Sequence, residues 1–203
     1  MQIVGRLILL FSSPHTFRFP PNSSMFQHPL TLFTYCPRCG AEAFSPHDER
    51  SKRCQACGFT YYHNASAATV AVIVNANREL LVVRRAYEPA KGTLDLPGGF
   101  VDPGEGVDDG CRREVLEETG LSVKRMEFLF SLPNVYEYSG FSVHTADCFF
   151  LCEIDDETAL FAADDAAEVL WIPVDELHSE EFGLHSVRRG VERLKEEYFD
   201  KRE

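Results

Sequence analysis

Glu114, Glu117 and Glu118, in "RREVLEETG", stand at positions that stack on one another if the segment is a helix. Each helical residue advances about 100°, so the three carboxylates would share one stripe about 100° wide. Like charges at i,i+3 and i,i+4 each destabilise a helix by roughly 0.2–0.5 kcal/mol. The dipole also opposes carboxylates near a helix C-terminus. A solvated acidic face is the plainer reading of most charge runs. Here a Gly98-Gly99 pair, a Gly104-Glu105-Gly106 turn and the Arg112-Arg113 pair frame the segment, and two local rules are broken together, as happens at functional sites. A divalent cation would remove the repulsion. An all-carboxylate set selects a hard ion, Mg²⁺ or Mn²⁺, over Zn²⁺. Mg²⁺ is commonly held by a few carboxylates, waters and substrate phosphates. The chemistry that follows is metal-assisted attack of water on a phosphoanhydride.

A second set of ligand-type residues lies upstream. Cys36-Pro-Arg-Cys39-Gly40 and Cys54-Gln-Ala-Cys57-Gly58 are two CxxC pairs separated by 14 residues, close to the spacing of a four-cysteine zinc site. Each pair can form a tight knuckle offering two thiolates to one tetrahedral ion. Two disulfides are the alternative, but the chain is not cysteine-dense and its secretion signals are weak. Four cysteine ligands leave no position for water, so the zinc is expected to be structural. It would replace a core that so short a segment cannot build. Cys111, Cys148 and Cys152 stand apart and read as apolar filler.

The rest of the chain must position these two sets. It has 203 residues, room for one ordinary domain plus a small addition. Its formal net charge of −12 disfavours an extended nucleic-acid surface, which needs basic side chains. Within residues 35–63 the bases Arg38, Arg50, Lys52 and Arg53 meet the acids Glu42, Asp48 and Glu49, so no basic surplus appears there either. No segment approaches transmembrane length. Residues 1–34 read as a leader, disordered or not native, with Met25 as an alternative start; a targeting segment is the second reading. A cytoplasmic protein is expected, with a small-molecule partner, and a homodimer is left open.

Past "YYHNASA" the pattern changes. "ATVAVIVN" and "ELLVVRR" are β-branched runs flanking the turn "NANR", which predicts a hairpin. "LDLPGG" is a short strand ending at the glycine pair. A helix from about Val107 to Thr119 follows, stopped by Gly120. "KRMEFLFSL", "VHTADCFFLCEI" and "VLWIPV" are further strands, and "ETALFAADDAAE" an acidic loop. Val187, Val191, Leu194 and Tyr198 mark one face of a terminal helix. The class is α+β or a three-layer sandwich, with a mixed sheet and helices against it.

The spacing Gly99-x5-Glu105-x7-Arg113-Glu114-Val115-x-Glu117-Glu118-x-Gly120-Leu121 matches the Nudix box, G-x5-E-x7-R-E-U-x-E-E-x-G-U with U aliphatic, at every fixed position. From about Ala67 to the C-terminus the chain resembles a Nudix hydrolase. The resemblance implies an α/β/α sandwich over residues 67–203 and hydrolysis of a nucleoside diphosphate linked to another moiety. It implies that Glu114, Glu117 and Glu118 hold Mg²⁺ or Mn²⁺, with the Gly99 carbonyl as a further ligand. One of these glutamates, or another acid, would orient or deprotonate the water. Arg113 would hold the glutamate cluster, Glu105 would be structural, and Glu168 would be a downstream acid brought to the metal. The four cysteines followed by "YYHN" and the box resemble the NADH-pyrophosphatase branch of that family. The tail of that branch, S-Q-P-W-P-F-P-x-S, is only echoed by "SLPNVYEYSG", where Asn134, Val135 and Tyr136 replace Trp, Pro and Phe. That departure predicts that NADH is a poorer substrate than ADP-ribose or a nucleotide sugar.

Arg84, Arg85 and Lys91 are candidates for contacts to substrate phosphates. Tyr136 and Tyr138 are candidates for stacking on a ring. Surface charge and core packing are their respective alternatives. Two readings compete with the hydrolase. One is a nucleotide-sensing module without catalysis, which the intact set of box glutamates opposes. The other is removal of a nucleotide cap from RNA.

Overall fold

The computed structural model describes residues 28–156, 160–162 and 166–199. Most of the leader, and parts of the acidic loop, lie outside them. The four-cysteine segment forms a small antiparallel sheet of β1 (Phe44–Asp48), β2 (Ser51–Cys54) and β3 (Thr60–Tyr62). Its buried apolar core consists of Cys36, Phe44 and Cys54 alone. A core so small cannot offset the entropy of ordering the segment, so a cross-link or metal is required.

The remaining strands are β4 (Ser66–Ile73), β5 (Glu79–Arg85), β6 (Leu94–Asp95), β7 (Val123–Tyr138), β8 (Phe141–Ile154) and β9 (Ala166–Pro173). They form two sheets, ordered β4-β8-β7 and β6-β5-β9. The first is mixed, with β4 parallel to β8 and β7 antiparallel to it; the second is antiparallel. Helix α1 (Val107–Thr119) covers one side and α2 (His185–Leu194) the other. Val70 and Val72 of β4 belong to the core shared with Val187, Val191 and Leu194 of α2. Ala71 and Ile73 belong to the core shared with Cys111 and Val115 of α1. Helix, strands and helix therefore make the α/β/α sandwich expected from the sequence. Tyr198, one turn past α2, packs against the same core as Val187, Val191 and Leu194. Cys111 and Cys152 are buried in the α1-side core and Cys148 packs against it, so all three act as apolar filler.

The predicted hairpin between the two β-branched runs does not form. β4 and β5 meet only at the bridge Val74↔Leu80, then diverge into separate sheets. The turn itself is as expected: Asn75 Oδ1 accepts the N–H groups of Asn77 and Glu79. What alternation cannot report is partnership, because β4 is buried on both faces and reads as a continuous apolar run.

The long hairpin is instead β7–β8, turning at Ser139 and Gly140, both at positive φ (54° and 74°). Two residues of that handedness match the twist of the flanking strands. The segment "SLPNVYEY" is the second half of β7 rather than a loop. Pro133 is tolerated there because β7 is an edge strand with nothing to donate to on its outer side.

Across the sheet, α2 runs in step with β8. Ser186 lies over Asp147, to which its hydroxyl donates at 2.5 Å, and Gly190 lies over Phe149. Four helical residues advance about 6 Å and two strand residues about 6.6 Å, so the two contacts recur in register. A Cβ on Gly190 would come within 2.3 Å of the Phe149 ring. Among the described residues no helix is long and apolar enough to cross a membrane.

Candidate active site

Helix α1 is set by its buried face, where Cys111, Val115 and Thr119 pack inward, and by Gly120, whose left-handed backbone (φ 73°) ends it. An adjoining face carries Glu114, Glu117 and Glu118 toward the loop after β6, with Glu118 at the buried border between the two. That loop is laid along β4 by backbone bonds: Ala71 N–H donates to Pro97 O at 2.7 Å, Thr69 N–H to Gly99 O at 2.8 Å and Val101 N–H to Ala67 O at 3.1 Å. The approach explains the two glycines. A Cβ on Gly98 would lie 2.1 Å from Thr69 O, and one on Gly99 would lie 2.6 Å from the Glu114 carboxyl carbon. Any side chain there would push the glutamate out or the loop off the sheet.

Arg113 organises the carboxylates. Its Nε and Nη2 donate to the two oxygens of Glu105, each at 3.0 Å. Nη1 donates to Glu114 Oε1 at 2.8 Å and to Glu117 Oε2 at 2.9 Å, and Nη2 also reaches Phe100 O at 3.0 Å. Every guanidinium nitrogen is engaged, which only a planar fork can do. Its pKa is raised, first by the bond to Glu105 and then by that to Glu114. The same bond to Arg113 holds Glu105 below its ordinary carboxylate value. Glu118 is buried and accepts the Gly98 N–H at 3.0 Å. The repulsion expected along the helix is thus partly neutralised from within.

A cleft of about 300 Å³ opens at this point, and Gly98, Gly99, Arg113, Glu114, Glu117 and Glu118 line one side of it. The donors are hard oxygens beside a backbone stripped of Cβ atoms, which suits Mg²⁺ or Mn²⁺. Gly99 O, the backbone ligand expected from the resemblance, accepts Thr69 N–H at 2.8 Å and, at a longer 3.5 Å, the Thr69 hydroxyl, the weaker contact that a metal ion would displace.

The substrate candidates divide. Arg85 and Tyr136 line the cleft. Arg85 donates to Asp95 Oδ2 at 2.6 Å, to Pro89 O at 2.8 Å and to the Tyr136 hydroxyl at 3.3 Å. Burial works to lower the Arg85 pKa, but Asp95 overrides it and the guanidinium stays charged. Burial raises the Asp95 carboxyl, against the pull of Arg85. Tyr136 meets Phe100 edge to face, with centroids 5.8 Å apart. Arg84, Lys91 and Tyr138 are not brought to the cleft. Arg84 instead pairs with Glu168 at 2.9 Å, across the β5–β9 ladder where the two are register partners. Glu168 does not line the cleft and is exposed on β9. Lys91 and Tyr138 are exposed.

Polar residues of the cleft that a reading of the sequence does not single out as site residues include Asp95, Asn134, Thr145 and Asp147. Two left a signal. Asp95 and Asp147 are acids inside otherwise apolar strand segments, "LDLP" and "ADCFF", and both are buried.

In the ribbon the sulfurs of Cys36, Cys39, Cys54 and Cys57 all lie within 4.8 Å of one another. Cys36–Cys57 and Cys39–Cys54 are each 3.7 Å apart. A disulfide needs about 2.05 Å, whereas zinc–sulfur bonds of about 2.3 Å place tetrahedral sulfurs about 3.8 Å apart. Gly40 and Gly58, both left-handed, turn their N–H groups back to Cys36 O and Cys54 O. The Cys57 N–H, more than any other group, lowers the Cys54 pKa to about 7, which favours the thiolate. Cys39 is pushed up to about 12: the Ala41 N–H works against this, but burial and the crowding sulfurs, Cys57 foremost, outweigh it. Four thiolates at this distance need a dication between them, and the donor set fits zinc.

Comparison with known proteins follows the same division. Residues 64–194 match the NUDIX domain, and residues 32–62 match the NADH pyrophosphatase zinc ribbon domain. A protein of Haemophilus influenzae (strain PittGG) named NAD-capped RNA hydrolase NudC is 32% identical over 108 residues, covering 52% of this chain and 40% of that protein. A Chromobacterium violaceum protein of the same name is 35% identical over 97 residues, covering 48% of this chain and 36% of that one. The matched stretch is thus about two fifths of the length of these relatives. A NUDIX hydrolase from Nitrosomonas europaea superposes with a TM-score of 0.63 at 22% identity, over 83% of this chain and 93% of that one. A MutT NUDIX hydrolase from Burkholderia pseudomallei gives 0.56 at 23% identity, over 65% and 99%. Box, sandwich and family match agree: this chain belongs to the Nudix family and carries a zinc ribbon in front of its Nudix domain.

Proposed function

We propose that the protein hydrolyses a diphosphate bond in a nucleoside diphosphate linked to another moiety, releasing a nucleoside monophosphate. The observation that carries this reading is the cleft wall where Glu114 and Glu117 hang on Arg113 and Glu118 hangs on the Gly98 N–H. Glu114, Glu117 and Glu118 would hold Mg²⁺ or Mn²⁺, which would supply charge stabilisation at the anhydride and a more acidic water. Arg113 acts on the carboxylates rather than on substrate, since its donors are spent on Glu105, Glu114, Glu117 and Phe100 O. Arg85 and Tyr136 would bound the far side of the substrate. The zinc ribbon is structural in this reading, with no ligand position left open. Reduced cysteines gathered for zinc suit the cytoplasm.

The name of these relatives refers to NAD-capped RNA. Free dinucleotides and a nucleotide-capped RNA end present the same diphosphate to the cleft, so both belong in the test. The charge of −12 favours the small molecule. The test is product release in Mg²⁺ and again in Mn²⁺ from ADP-ribose, NADH, a nucleotide sugar, a dinucleoside polyphosphate and NAD-capped RNA, with mass detection of both products. ADP-ribose or a nucleotide sugar is expected to exceed NADH in kcat/KM, because Asn134-Val135-Tyr136 lacks the rigid Trp-Pro-Phe run. NADH leading every other compound by about tenfold in both metals, more than one aromatic contact is commonly worth, would overturn that ranking. No cleavage of any of them would overturn the function.

A further inference from the structure

The wall opposite the glutamates raises a separate question: what chemistry would suit its polar side chains? Asn134 and Thr145 are register partners on β7 and β8, and Asp147 lies two residues further along the same face. All three are at most 6% exposed, and all line the cleft. Thr145 donates its hydroxyl hydrogen to Asp147 Oδ1 at 2.5 Å, and Ser186 donates its own to Asp147 Oδ2. Both hydroxyl hydrogens are therefore spent on one carboxylate. Asp95 accepts from Arg85 and from the Leu96 N–H. What remains facing the cleft is rich in acceptors: carboxylate lone pairs and the Thr145 oxygen. Asn134 differs from the rest. Its carboxamide finds no hydrogen-bond partner among the described residues, though the residue is only 6% exposed. The small exposed part of Asn134 opens into the cleft, so its carboxamide is available to a ligand there without first breaking a bond within the protein.

The charge of this wall says which part of a substrate it takes. Asp95 and Asp147 repel phosphates, and the one cation, Arg85, is engaged by Asp95. The diphosphate must then lie on the glutamate side, where divalent ions can shield it. A neutral ring fits the rest, between the apolar side chains of Val83, Leu184 and Val187 and the Phe100–Tyr136 pair at the mouth. A carboxamide bonds adenine in a bidentate manner, accepting from the exocyclic amino group and donating to a ring nitrogen. Acceptors around it welcome that amino group and oppose a carbonyl in its place.

We propose that Asn134, with Thr145 and Asp147 beside it, forms a base-recognition floor that selects a 6-aminopurine nucleotide over its 6-oxo counterpart. The proposal deepens the hydrolase reading and rests on it for where the diphosphate lies. Asn134 stands at the position where the NADH-pyrophosphatase tail would carry Trp, so the departure in that segment becomes a change of recognition chemistry.

Calorimetric titration of AMP and IMP into the full chain tests the floor without catalysis. AMP should bind about tenfold or more tighter than IMP, within what a bidentate base contact discriminates. Equal affinities overturn the proposal, as does binding of nicotinamide mononucleotide where AMP does not bind. Asn134→Leu, and Asn134→Ser in case leucine disturbs the strand, should each weaken AMP by about tenfold with an unchanged melting temperature. With ADP-ribose the loss should fall on KM rather than kcat. AMP affinity within about twofold of the unaltered protein in both variants, less than a bidentate contact is worth, overturns the role of Asn134. If AMP outbinds IMP but no diphosphate is cleaved, the hydrolase reading fails while the floor stands; cleavage without base preference is the converse.

Discussion

The cysteines of the ribbon and the glutamates of α1 are both ligand sets, yet they are held in opposite ways. The four sulfurs converge within 4.8 Å, and among the described residues they are the one cluster whose ligand atoms do so. The glutamates are spread over separate partners, Glu114 and Glu117 on Arg113 and Glu118 on Gly98 N–H. Soft thiolates in a segment with almost no core must be gathered by backbone turns, because the metal is what folds the segment. Hard carboxylates on a helix that packs well without metal can be kept apart by a guanidinium. A closed cluster suits a permanent ion; an open one, with its charge compensated internally, suits an ion that arrives with substrate.

The sharpest way to break this contrast is to remove one glutamate oxygen. Glu118→Gln keeps a carbonyl for the Gly98 N–H, so the fold should persist while kcat falls about 100-fold or more, given the several kcal/mol a metal contributes to such a reaction. Glu117→Gln should lose a similar amount. Near-normal turnover in both would end the metal-site assignment. The matching experiment in the ribbon is Cys54→Ser. Metal analysis should find one zinc per unaltered chain and almost none in the variant, with β1–β3 becoming open to proteolysis while the α/β/α sandwich stays intact. Zinc retained at full occupancy would break the four-sulfur assignment.

A smaller effect sharpens the part played by Arg113. Arg113→Lys keeps the charge but cannot fork to Glu105, Glu114 and Glu117 at once, so kcat/KM should drop about tenfold. Unchanged kinetics would mean the guanidinium is dispensable. The smallest effect concerns acid. Glu105 has its pKa lowered from 4.5 by Arg113, so its stabilisation is present above that value and fades as pH falls through the lower, folded-state one. Thermal melts of Glu105→Gln against the unaltered protein should therefore differ at pH 7 and draw together as pH falls progressively below 4.5. A constant difference across that range would show that Glu105 acts by packing alone.

How much of this could be read beforehand depends on the physics of each element. α1 is legible over Val107–Thr119 because its periodicity and its Gly120 stop are local signals. The cysteine pairs are legible because ligand spacing is local too. The pairing of β4 with β8, whose register partners such as Ser66 and Thr145 lie 79 residues apart in the sequence, is not local, and a strand buried on both faces carries no alternation to reveal it. The second half of β7 was masked by Pro133, a residue that argues against a strand unless the strand lies at an edge. In the site, the glutamate wall follows from one continuous motif. The opposite wall is assembled from β6, β7, β8 and α2, so Asn134 and Asp147 become neighbours only in the folded chain.

The missing Cβ of Gly190 gives the cleft a remote control point. Ser186 can reach Asp147 only because α2 sits against Phe149 as closely as a bare backbone allows. Gly190→Ala would wedge the helix outward, and the hydroxyl that occupies one oxygen of Asp147 would withdraw. The altered residue borders no ligand, so a mutational screen confined to the cleft lining would pass over it. Selection for a different substrate could nevertheless begin there, by retuning a carboxylate through the seating of a helix.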